Sequence, residues 1–204
     1  MLMKRHRLAI FSILFLLTGC GEPSAVELHD GDIIFQTSLS DQSLAIQTAT
    51  HSKYSHMGMI FFQDGEPYVF EALQTVQFTP LQPWIERGEG EHYVIKRLRD
   101  ADRLITDGTI ENLKAAAARF QGKPYDVAFE WSDERVYCSE LVWKIYERGL
   151  GVRIGQPKKL REFDLSDGGV KKKLRERYGD QIPLIETVIS PGDMFSSELL
   201  VTVK

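Results

Sequence analysis

Cysteine is what this chain has least of: two in 204 residues, Cys20 and Cys138. Neither belongs to a Cys-x-x-Cys pair and neither has closely spaced histidines, so the pattern of a structural zinc site is missing. At most one disulfide could form. Long apolar runs are equally scarce. The one present, Leu8 to Leu17, is too short for a transmembrane helix. A positive charge balance is also lacking. With 25 Lys and Arg against 29 Asp and Glu, the net charge is −4, which removes any argument for nucleic acid as a partner. Repeats and low-complexity stretches are absent. What remains is 43% hydrophobic and 26% charged, an ordinary globular composition at the length of one domain.

The apolar run belongs to a leader. Lys4, Arg5 and Arg7 precede it, as in a secretory signal. Leu17-Thr18-Gly19-Cys20 then resembles the lipobox of bacterial lipoproteins, cut before a cysteine that carries lipid. The expected organisation is a signal peptide over 1–19, a lipidated N-terminus and tether over 20–28 with Cys20 acylated, and a domain over 29–204. Losing three basic residues and no acidic one takes the charge from −4 to −7. Acyl chains make the membrane a partner through the anchor. Gly21, rather than Asp, after the cysteine points to the periplasmic face of the outer membrane as the location in the cell envelope.

If Cys20 is acylated, Cys138 is an unpaired thiol in an oxidising compartment, where cysteines usually pair. It opens the stretch Cys138-Ser139-Glu140-Leu141-Val142-Trp143-Lys144-Ile145-Tyr146, whose apolar residues recur at helical spacing. Gly149 and Gly151 mark the expected helix stop. A thiol in the first turn faces unpaired N–H groups and the positive end of the helix dipole, which favour the nucleophilic thiolate. The alternative is a small buried hydrophobe.

Upstream, Gly31 to Phe35 reads as a strand. Ser40 to Thr50 reads as a helix capped by Ser40 or Asp41, with Leu44, Ala45 and Ile46 turned inward. The segment from His56 to Phe62 reads as a central strand, apolar on both faces. Asp64-Gly65 is a hairpin signal, and Tyr68 to Leu73 returns. A two-residue turn pairs Gln63 with Glu66. Glu71 then lies opposite Gly58, with His56 on the same face and diagonal to it. A short helix over Pro80 to Arg87, a strand over His92 to Arg97 and a helix over Ile105 to Phe120 follow. Gln121 to Asp126 reads as a turn, and Phe129 to Val136 as a loop. Lys171-Lys172-Lys173 reads as a solvated helix face, and the end of the chain as irregular with one or two short strands.

A thiol, an imidazole and a carboxylate in this relation form the nucleophile, base and orienter of acyl transfer. The candidates are Cys138, His56 and Glu71, with first-turn amides of the Cys138 helix as oxyanion donors. Glu71 could instead pair with Lys53 or Arg97. His51 is a competing base, Tyr54 could add a hydroxyl to the site, and Asp126 could as easily be a turn residue. Cys138 is expected to be accessible. No metal and no cofactor is called for.

Tyr-Ser-His-Met-Gly, Val-Phe-Glu-Ala, Gly-Lys-Pro-Tyr-Asp, Trp-Ser-Asp and Tyr-Cys-Ser-Glu-Leu-Val-Trp resemble, in that order, motifs of the permuted NlpC-type papain-like cysteine hydrolases, the YiiX/YebB group. The resemblance runs from about Gly31 to near the C-terminus. It implies an α+β, circularly permuted papain-like fold, with a small antiparallel sheet packed on helices. It also implies a Cys138, His56 and Glu71 site that hydrolyses amide bonds, with peptidoglycan-derived peptides as substrate, a peptide-like acyl side and an amine leaving group. Glu140 stands where unpermuted relatives often carry Gly. A lipid-directed thiol acyltransferase or lipase, and a non-catalytic envelope-binding lipoprotein, are the competing functions.

Overall fold

The computed structural model describes residues 26–204, so the expected signal peptide over 1–19 and the expected lipidation site Cys20 lie outside the described residues. Eight strands and seven helices follow in the order β1 (Ile33–Ser38), α1 (Ser43–Thr50), β2 (His56–Gln63), β3 (Glu66–Ala72), β4 (Val76–Pro80), α2 (Leu81–Glu86), β5 (Gly88–Leu98), α3 (Ala101–Leu104), α4 (Asp107–Ala118), α5 (Cys138–Leu150), β6 (Lys158–Lys159), α6 (Gly168–Tyr178), β7 (Thr187–Val188), α7 (Pro191–Phe195) and β8 (Leu200–Thr202). Six strands make one antiparallel sheet in the order β4-β3-β2-β1-β5-β8. The short β6 and β7 pair separately. Among the described residues no helix is long and apolar enough to cross a membrane.

The Asp64-Gly65 turn sets the register around which the site forms. Both residues have positive φ, 51° and 85°, as a type I′ hairpin requires. Gln63 pairs with Glu66, and the pairing runs in step to Met59 opposite Phe70. Continued by one residue, it brings Glu71 opposite Gly58, with His56 on the same face. The space beside Gly58 is filled. A Cβ there would come within 2.3 Å of Val69 Cγ1 and 2.9 Å of the Phe70 carbonyl oxygen.

Alternation divides the sheet between two cores. Ile33, Phe35, Met57, Met59 and Phe70 pack with α4 and α5, through Leu113, Leu141, Val142, Ile145 and Tyr146, into the larger one. Ile34, Ile60, Val69 and Ile95 turn to the other face, where Trp84 and Ile85 of α2 cover them. The amphipathic pattern of α5 therefore places its apolar stripe on the first face.

Boundaries differ from the sequence reading in informative places. α1 starts at Ser43, and Gln42, not Ser40 or Asp41, occupies its cap position without a side-chain cap. Leu44 does not point inward: it is 72% exposed. Gly149 lies inside α5 against Leu113, and the helix ends at Gly151 in the left-handed conformation (φ 68°). The expected 105–120 helix is α4 alone, begun by a Thr106/Thr109 capping box. The lysine run does lie on a helix, α6, capped by Asp167.

Candidate active site

The site lies where the N-terminus of α5 meets the start of β2. Cys138 is the first residue of α5, and its cap residue Tyr137 contributes no side-chain hydrogen bond, so side chains do not consume the first-turn amides there. His56 is the first residue of β2. Its Nε2 lies 2.7 Å from Glu71 Oε2. The carboxylate can only accept, so the ring donates through Nε2, and Nδ1 is the nitrogen left for the sulfur. Burial pushes the imidazole pKa down, but hydrogen bonding to Cys138 and Glu71 and their charges outweigh it and lift it to about 9. The imidazolium is thus the favoured form of His56.

Glu71 is fully buried, and each of its oxygens accepts twice. Oε2 also takes the Trp84 Nε1–H bond at 3.0 Å; Oε1 takes Thr79 Oγ1 and Arg87 Nη2, each at 2.5 Å. Burial alone would raise its pKa, but His56, Thr79 and Arg87 together bring it below the ordinary value. Four donors around one carboxylate satisfy it as a buried charge must be satisfied. The partners suggested by sequence are engaged elsewhere: Arg97 with Asp32 at 2.7 Å, and Lys53 with His92 at 3.3 Å. Trp84 also stacks along the His56 ring, centroids 5.9 Å apart, so α2 holds both members of the pair.

Cys138 is 4% exposed, not openly accessible as expected. It is reached from a cavity of about 100 Å³ between α1 and α6, lined largely by apolar side chains that include Ala45, Ala49, Phe129, Leu174 and Ile189. His56 borders a different hollow, a groove of Ser38, Ser40, Ser55, Gln74, Thr75 and Gln77. Gln42, Ser55 and Tyr125 line both. Cys138 and His56 therefore sit at the junction of an apolar cavity and a groove of mixed character that holds no Asp, Glu, Lys or Arg.

Tyr54 and His51 are not part of this junction. Tyr54 is a core aromatic against Phe35 and Phe195, with ring centroids at 5.9 and 4.2 Å. His51 is the left-handed C-cap of α1, 73% exposed and 3.4 Å from Asp164. Asp126 is a turn residue: its Oδ1 accepts from the Ala128 amide at 2.7 Å. Glu140 does not enter the cleft. It is buried 2.7 Å from Lys144 Nζ, and burial pushes its carboxyl up to about 7 despite that lysine. Tyr125, by contrast, lines both hollows, although the sequence around it reads only as a turn. Burial, with the neighbouring Cys138 charge, raises its phenol well above the ordinary value. Its presence in the quoted Gly-Lys-Pro-Tyr-Asp motif was the available signal.

A thiol at a helix N-terminus beside an imidazole oriented by a carboxylate defines a papain-like thiol hydrolase site. The comparisons agree. Residues 27–204 match the family of permuted papain-like amidase enzymes, YaeF/YiiX, C92 family. The chain is 48% identical over 199 residues to the protein YiiX of Escherichia coli strain K12, covering 98% of this chain and 95% of that protein. A crystal structure titled as metalloprotein yiiX from Escherichia coli O157:H7 is 51% identical, covers 86% of this chain and 96% of the other, and superposes with a TM-score of 0.83. The chain belongs to the permuted papain-like amidase family: it is a cysteine amidase or peptidase with the α+β fold of that family, in which the histidine strand precedes the cysteine helix.

The relative of known structure is described as a metalloprotein, and the described residues of this chain do not fit a metal ion. Among the described residues, no group of three or more His, Cys, Asp or Glu side chains is arranged to hold a metal ion. At this site Glu71 already accepts four hydrogen bonds and His56 commits Nε2 to it. Cys138 and one imidazole nitrogen do not make a metal site.

Proposed function

We propose that Cys138 is the nucleophile, His56 the general base and acid, and Glu71 the orienter. The supporting observation is His56, held through Nε2 by a saturated buried carboxylate with Nδ1 left for the thiol. Cys138 Sγ attacks the carbonyl carbon of an amide with the proton of the thiol already held on Nδ1 of the imidazolium. The carbonyl oxygen becomes an oxyanion facing the α5 amides and the Tyr125 hydroxyl. The C–N bond then breaks, and Nδ1 returns the proton to the leaving amine, giving a thioester. Water attacks the thioester, releasing the acid and restoring the thiol.

The envelope leader and the amidase family support an envelope amide as substrate, peptidoglycan-derived peptides among them. The cavity supports a second, lipid-directed reading. The acyl group stays on Cys138, beside apolar walls, while the amine departs on the His56 side through hydroxyl and amide groups. An apolar acyl chain suits the first hollow better than a peptide does.

The test compares amine release from muropeptides and from long-chain N-acyl amino acids, and fatty-acid release from phospholipid, using wild type and Cys138→Ala. Amine release lost in Cys138→Ala is the expected result, and the better substrate decides between the readings. No thiol-dependent product from any of them would leave a binding lipoprotein.

A further inference from the structure

We infer that Gln42 and Arg177 are positioning residues that aim the Tyr125 hydroxyl proton at the carbonyl oxygen under attack. The inference rests on the Cys138 acyl-enzyme reading above. Arg177 Nη2 lies 2.7 Å from Gln42 Oε1. A guanidinium has donors only, so this contact decides which end of the Gln42 amide is oxygen. The other end, Nε2, then lies 3.2 Å from the Tyr125 hydroxyl and must donate to it. The hydroxyl receives that bond on a lone pair, so its own proton points away from Gln42. Among the described residues this is the hydroxyl's one hydrogen bond. Tyr125 lines the apolar cavity with Cys138 and the polar groove with His56, so the free proton is available at the junction where an oxyanion develops.

Arg177 is itself held in place. Its Cζ stands 4.1 Å from the centroid of the Phe129 ring, which meets Tyr137, the neighbour of Cys138, edge-on at 4.9 Å. The relay therefore joins α6, the residue before α1 and the 125–137 loop around the sulfur. Its polarity depends on a neutral amide at position 42. A carboxylate there would keep, or strengthen, the contact with Arg177, but it can only accept. It would draw the Tyr125 proton to itself and turn it away from the site.

Gln42→Glu separates this role from a structural one. A merely structural contact predicts unchanged activity and an unchanged or raised Tm, since the Arg177 pairing is retained. The relay predicts an unchanged or raised Tm with kcat lowered about as far as in Tyr125→Phe, roughly 10²–10³-fold if the hydroxyl is worth a full oxyanion donor. The double variant Gln42→Glu/Tyr125→Phe should be no slower than Tyr125→Phe alone. Arg177→Leu, which frees the amide to flip, should likewise cost kcat in wild type and nothing further beside Tyr125→Phe. Wild-type kcat in Gln42→Glu would overturn the proposal, and so would an additive loss in the double variant, which would assign the effect to the new charge. Undiminished turnover in Cys138→Ala would instead refute the acyl-enzyme reading on which the proposal depends.

Discussion

Glu71→Gln is the most informative single change at the site. From sequence alone it looks mild, because an amide oxygen can still accept from the His56 ring. The structure makes it costly. All four neighbours donate: His56 Nε2 and Trp84 Nε1 to Oε2, Thr79 Oγ1 and Arg87 Nη2 to Oε1. An amide has one accepting end. If its NH₂ faces His56 and Trp84, two buried ring N–H groups lose their acceptor. If it faces Thr79 and Arg87, the hydroxyl can rotate to accept, and Arg87, 39% exposed, can turn towards water. The second orientation costs less. It still forfeits a charge-assisted bond, worth roughly 1.5–3 kcal/mol and less here because Arg87 is partly solvated. It also removes the charge that favours the imidazolium. We expect a destabilisation of about 2 kcal/mol, or roughly 4–8 °C in Tm for a chain of this size, with kcat reduced but not abolished. Glu71→Ala removes the acceptor from every neighbour, leaving the buried Trp84 N–H unpaired, and should cost about 3–5 kcal/mol. Urea unfolding at pH 7 measures both. A Glu71→Gln variant within about 0.5 kcal/mol of wild type, the scale of an ordinary surface substitution, would refute the reasoning.

Cys138→Ala and His56→Ala should each lower kcat by several orders of magnitude, and the double variant should be hardly worse, because the two act as a unit; steady-state rates on one amide substrate decide it. The folded state holds the His56 proton more tightly than the ordinary value of 6.5, so the stability this contributes is complete below about pH 6.5 and is lost as pH rises through about 9; His56→Gln should lack that slope in unfolding free energies measured from pH 6 to 9.5. Gly58→Ala should destabilise by about 1–3 kcal/mol or more, since its Cβ meets Val69 and the Phe70 carbonyl, and denaturant midpoints will register it. Mass spectrometry of the N-terminal peptide should find an acylated Cys20 as the first residue; a retained Met1 or an unmodified Cys20 would remove the anchor.

Local chemistry made much of this protein readable. The Asp64-Gly65 turn has one comfortable geometry, both residues at positive φ, and a two-residue turn admits one register. That step alone put His56, Gly58 and Glu71 on one face before any fold was known. The periodicity of 141–146 and the terminal Gly151 likewise placed Cys138 at a helix start. Each of these is an interaction between residues close in sequence, where covalent geometry limits the options.

The partners of those residues were not readable in the same way. Trp84 and Arg87 reach Glu71 because α2 folds back over the second face of the sheet. Gln42, Tyr125 and Arg177 come from three segments as far as 135 residues apart. Ser40 and Asp41 are better N-cap residues than Gln42, yet α1, which packs against α6, starts at Ser43. Leu44 stays exposed, His51 lies beside Asp164, Tyr54 packs against Phe35 and Phe195, and an apolar cavity opens at the sulfur. The sequence by itself determined which local elements form and which of their faces the reacting groups occupy, because turns, caps and periodicity act within a few residues. Only the tertiary structure decided what surrounds those groups, because long-range contacts depend on how whole elements stack, and no short stretch of sequence encodes that.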